Sequence, residues 1–103
     1  MSTIYFKKNH QEVMPSPLAL KCFSQKNFEI ILLTLKKGES IPLHKNPFEV
    51  LFFVKSGMGI LTVENDEFEL SENDLALVSL TENRSWINHQ AKELELIVMK
   101  FLS

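Results

Sequence analysis

The feature that most constrains this chain is how short its apolar runs are. Each is rich in β-branched or aromatic residues and is closed by turn-forming residues. Runs of that kind suit strands rather than helices. Phe28 to Leu35 ends at Lys36-Lys37-Gly38, and Glu49 to Lys55 ends at Ser56-Gly57-Met58-Gly59. Ile60 to Val63 and Phe68 to Leu70 flank Glu64-Asn65-Asp66-Glu67, a polar tetrad that reads as a hairpin loop. Leu75 to Leu80 follows the polar turn Ser71-Glu72-Asn73-Asp74, and Ser85 to Asn88 and Leu94 to Phe101 complete the set. At least seven strands are expected, roughly 8–12 residues apart, which is the pattern of an all-β sandwich or barrel. Helix-like periodicity is confined to two stretches. Lys8 to Met14 would be stopped by Pro15 and Pro17, and Asn88 to Glu95 has few apolar positions to bury.

The chain has 103 residues, so a single domain over 1–103 is expected. A formal net charge of -2 and a pI near 5.9 exclude a broad basic footprint for nucleic acid or an anionic membrane. Cys22 is the one cysteine, which excludes an intramolecular disulfide and a cysteine metal cluster; a small buried side chain is expected there. Met1 to Met14 has no apolar core of the signal-peptide type, and the longest apolar runs are far too short to span a membrane. The expected location is the cytoplasm.

Two segments carry a family resemblance. Gly38-Glu-Ser-Ile-Pro-Leu-His44-Lys-Asn46-Pro-Phe-Glu49-Val50-Leu-Phe-Phe-Val-Lys-Ser-Gly57 resembles the first motif of the cupin superfamily, G-x5-H-x-H-x3-E-x6-G. Asn73-Asp74-Leu-Ala-Leu-Val-Ser79-Leu-Thr81-Glu-Asn-Arg84-Ser-Trp86-Ile-Asn88 resembles the second, G-x5-P-x-G-x2-H-x3-N. Met58 to Glu72 separate the two, a short spacing of the family type. The resemblance implies a single cupin β-barrel, the jelly roll or double-stranded β-helix. Leu70-Ser-Glu-Asn-Asp74-Leu-Ala-Leu-Val is also similar to a strand in the N-terminal sensor domains of AraC-type regulators.

The register is kept but the ligands are not. The first motif retains Gly38, His44 and Gly57, while Asn46 replaces its second His and Val50 its Glu; Glu49 stands one residue off. The second motif retains Asn88, with Asn73 and Thr81 at its glycines, Ser79 at its proline and Arg84 at its His. Metal-binding cupins use three His and one Glu, so the four positions here hold His44, Asn46, Val50 and Arg84. One imidazole and a permanently charged guanidinium do not make a transition-metal site. Glu49 could serve only if a bulge re-aimed it, since a one-residue shift sends a side chain to the other strand face. The expectation is therefore no cofactor, with a divalent metal as the alternative.

Strand alternation then describes the interior. With His44 inward, Asn46, Phe48, Val50, Phe52 and Val54 share its face, and Arg84, Trp86 and Asn88 share the inward face of the second-motif strand. The expected site comprises His44, Asn46, Phe48, Val50, Phe52, Arg84, Trp86 and Asn88: an apolar, aromatic cavity with four polar groups. Arg84 would suit a carboxylate or phosphate. The expected function is a metal-free, non-catalytic small-molecule-binding or sensor module for a small, anionic organic ligand; the alternative is a metal-dependent dioxygenase or isomerase. Bland readings stand beside these. The aromatic residues could fill the barrel, Arg84 could lie at a solvated rim, His44 could be structural, and Asn88 could bond turn backbone. Leu51 and Phe53 point outward on the first-motif strand and need cover; a homodimer through that face is expected, the alternative being cover by Ile4 to Phe6 or by the Phe28 strand.

Overall fold

The computed structural model describes residues 1–102. Ten strands form two antiparallel sheets. They are β1 (Gln11–Pro15), β2 (Leu18–Gln25), β3 (Phe28–Leu35), β4 (Ser40–His44), β5 (Glu49–Ser56), β6 (Met58–Val63), β7 (Asp66–Ser71), β8 (Leu75–Val78), β9 (Arg84–Ile87) and β10 (Leu94–Phe101). The larger sheet has the order β1-β2-β3-β10-β5-β8 and the smaller β4-β9-β6-β7. This is the all-β jelly-roll architecture expected above.

Alternation along each strand places the core between the sheets. Ile31, Leu33 and Leu35 of β3, Val50, Phe52 and Val54 of β5, and Leu94, Leu96 and Val98 of β10 are all buried. They face Leu61 of β6 and Trp86 of β9. Gly59 lies where a Cβ would strike the Leu94 side chain and crowd the Trp86 ring, so the smallest residue there leaves room for both. Gly57 has φ +87° and a Cβ there would strike the Glu93 carbonyl, so a side chain is excluded on both counts.

Three strands escape the sequence reading. In β2 the pairing register shifts between Lys21 and Phe23, a bulge that breaks period-2 alternation. β1 and β4 contain Pro15 and Pro42, and both are sheet edges, where a missing N–H is tolerated. The helix-like stretches are not helices. Lys7–Asn9 forms one 3-10 turn and β1 starts at Gln11, while residues 88–93 are irregular before β10. The expected hairpin tetrad is a tighter turn, because Val63 already pairs with Asp66 and leaves Glu64-Asn65 to make the reversal.

Candidate functional site

Between the sheets lies a cavity of about 150 Å³. One wall comes from the large sheet: Ala19, Ile31, Leu33, Val50, Phe52 and Val98, with Met14 beside them. The other wall is Ile41 and His44 of β4 with Arg84 and Trp86 of β9. His44 is paired directly with Arg84 across the β4–β9 ladder, so both side chains enter from one place. Asn46, in the loop after β4, and Lys100, near the end of β10, complete the lining. The Phe52 and Trp86 rings meet edge to face at 5.5 Å and 70°, a favoured aromatic geometry that fixes this part of the wall.

Arg84 is fully buried. Its Nη2 donates to the Ser79 carbonyl at 2.9 Å, while Nε and Nη1 are buried without a partner. Burial pulls the guanidinium pKa below its ordinary value, and the nearby Glu82 carboxylate opposes that; arginine remains a cation regardless. The Trp86 indole Nε1 is a third buried donor without a partner. His44 is half-buried, and its Nδ1 lies 2.8 Å from the Pro42 carbonyl. A carbonyl only accepts, so Nδ1 carries the proton, and Nε2 is left with the lone pair in the neutral ring.

The structure thus brings six of the eight expected site residues to the cavity: His44, Asn46, Val50, Phe52, Arg84 and Trp86. Two are elsewhere. Phe48 packs against the core edge with the Lys100 ammonium 5.9 Å from its ring centre, outside the lining. The alternation that placed it inward fails because β4 ends at His44 and residues 45–48 are a loop. Asn88 is fully buried but faces a turn, not the cavity. Its Nδ2 donates to the carbonyls of Leu35 and Lys92 at 2.9 and 3.0 Å, and its Oδ1 accepts from the Gln90 N–H at 2.8 Å. Arg84 is no rim residue. Sequence reasoning missed Met14, Ala19, Ile31, Leu33, Ile41, Val98 and Lys100; for β3 and β10 the inward parity was readable, but the pairing order of the strands was not.

The donor set does not fit a metal of the kind the resemblance implies. His44 is the one imidazole in the cavity, Val50 offers no donor, and Arg84 places a cation where a third imidazole would stand. Glu49 is exposed on the opposite face of β5, and no group of three His, Cys, Asp or Glu lies close enough to hold an ion among the described residues.

An antiparallel two-sheet barrel with a cavity between the sheets defines the class. The family model described as "Cupin domain" matches residues 31–100, and the chain belongs to that family. Among curated proteins none matches. Solved structures resemble it at low identity. KdgF from Halomonas sp. has a TM-score of 0.82 at 12% identity, covering 97% of this chain and 94% of that one. The plu4264 protein from Photorhabdus luminescens has a TM-score of 0.82 at 15% identity, covering 98% and 88%. The cupin domain of Cnp3 from Schizosaccharomyces pombe has a TM-score of 0.82 at 15% identity, covering 92% and 69%. At such identity the likeness extends to the fold alone.

Proposed function

We propose that this cupin-domain protein is a cytoplasmic small-molecule-binding or sensor module that holds a small organic anion without metal and without catalysis. The observation that carries this is Arg84: a fully buried guanidinium in the cavity wall with Nε and Nη1 unpartnered. A buried guanidinium with two N–H-bearing nitrogens unpartnered is costly, and an anion that reached them would relieve that cost. General acid–base chemistry at His44 would need a second titratable group matched to it. Tyr5 meets Phe23 edge to face at 4.8 Å and does not line the cavity, no Asp or Glu lines it, and the ammonium of the one lysine that does, Lys100, lies over the Phe48 ring. Metal analysis of protein purified without chelator tests the metal-free part. The expected result is far below one Fe, Zn, Mn or Ni per chain. Near-stoichiometric metal that disappears in His44→Ala would overturn it.

We propose, too, that the chain forms a homodimer through the outer face of the large sheet. Leu20, Leu32, Ile97, Phe53 and Leu75 stand in register across five strands, and Phe23, Ile30, Met99, Leu51 and Leu77 form the next row. Leu75 and Leu77 are mostly exposed, and the other eight only half-buried. Beyond them Phe28 and Phe101 pair at 5.4 Å. With strands about 4.8 Å apart the apolar area is about 24 Å wide and about 20 Å long. That is about 480 Å², the small end of one side of a protein–protein interface, and a sheet face can pack in aligned fashion on a second copy of itself.

A further inference from the structure

We infer that the ligand is a small organic monocarboxylate, its carboxylate on the Arg84 guanidinium and its apolar body between Phe52, Trp86 and Val98. This rests on the anion-binding reading above and narrows it by charge, hydrogen-bond polarity and size.

The three unpartnered buried polar atoms, Arg84 Nε, Arg84 Nη1 and Trp86 Nε1, are all donors. Donors of this kind call for a headgroup that only accepts, and an ionised carboxylate has no hydrogen to place badly. Arg84 is also the one cation buried completely in the wall. The second, Lys100, is half-buried, with its ammonium over the Phe48 ring. It also acts on the Glu29 carboxylate, which is ion-paired with Lys21 at 3.2 Å. Glu82, whose Oε1 accepts from the Ser79 N–H, offsets part of the Arg84 charge as well. One buried positive charge matches one negative charge. A phosphate dianion would bring a second charge that no other fully buried cation meets, since the Lys100 ammonium is turned over the Phe48 ring. Size sets the other limit, because about 150 Å³ is the volume at which an apolar protein cavity accepts a benzene ring.

The test uses benzoate, benzamide, phenyl phosphate and 2-naphthoate as probes in calorimetric titration of the wild-type chain. Benzoate is expected to bind at least tenfold more tightly than its uncharged isostere benzamide, and more tightly than phenyl phosphate or the larger naphthoate. In Arg84→Met its affinity falls roughly 10–100-fold, while the melting temperature without ligand stays at or above that of wild type. Ala19→Leu, which fills the apolar end of the cavity from β2, abolishes benzoate binding with the guanidinium intact, and keeps the test decisive should Arg84→Met fold poorly. Benzamide or phenyl phosphate binding as tightly as benzoate overturns the carboxylate assignment and leaves the small-molecule reading standing. Silence from all four probes overturns both, and Arg84 is then a structural tie to Ser79.

Discussion

Arg84 and Asn88 are the two polar side chains that the core encloses completely among the described residues. Both lie in the second-motif segment, and their hydrogen bonds separate their roles. Asn88 uses both amide hydrogens and its oxygen on the end of β3 and on the 90–92 turn. Its own N–H and carbonyl pair with Glu39 and Gly38. It therefore ties three stretches of chain together, as the backbone-bonding alternative in the sequence held. Arg84 spends one donor on Ser79 and has no partner for Nε or Nη1. Asn88→Ala is expected to cost about 3 kcal/mol, because it leaves buried carbonyls and an N–H unpaired, read as a lower urea midpoint at unchanged slope. A loss below about 0.5 kcal/mol, the level of an ordinary surface change, would contradict that role. The two residues should respond differently, with a loss of stability at Asn88 and little or none on replacing Arg84 by Met.

At the level of elements, strands whose alternation runs unbroken were legible in the sequence. β3 and β10 fall on Phe28–Leu35 and Leu94–Phe101, as the apolar runs indicate, and β5 ends one residue later than expected. What hid β1, β2 and β4 was local: edge prolines in two and a bulge in the third. Turn chemistry explains one departure from the family motif. Asn73 stands at an expected glycine and adopts φ +74°, the left-handed region that asparagine tolerates better than other side chains. The turn thus survives without its glycine, with the Asn73 N–H donating to the Val54 carbonyl at 2.8 Å. For the cavity, parity along β5 and β9 picked out Val50, Phe52, Arg84 and Trp86. It failed at Phe48, where a loop replaced the strand, and at Asn88, one residue beyond the end of β9. The contributions of Ile31 and Val98 depend on which strands neighbour one another, and β3–β10–β5 order is not written in local pattern.

On the scale of the whole molecule, the two faces of the large sheet divide the work. The inner face forms the core and the cavity wall, and the outer face is the surface proposed to pair two copies. Light scattering after size exclusion should give twice the chain mass of 11.9 kDa, and Ile97→Lys, at the centre of the apolar rows, should return it to one. A wild-type monomer at every micromolar concentration would contradict the dimer. The central claim, a cavity for a small organic anion, has a sharper reporter. Trp86 is the single tryptophan, so the protein has one indole N–H resonance, and it belongs to a donor in the cavity wall. In a ¹H–¹⁵N spectrum, titration with small carboxylates is predicted to move that peak and the Arg84 Nε–H peak together, saturably and with one affinity. Both peaks staying fixed through millimolar carboxylate and phosphate would contradict the account.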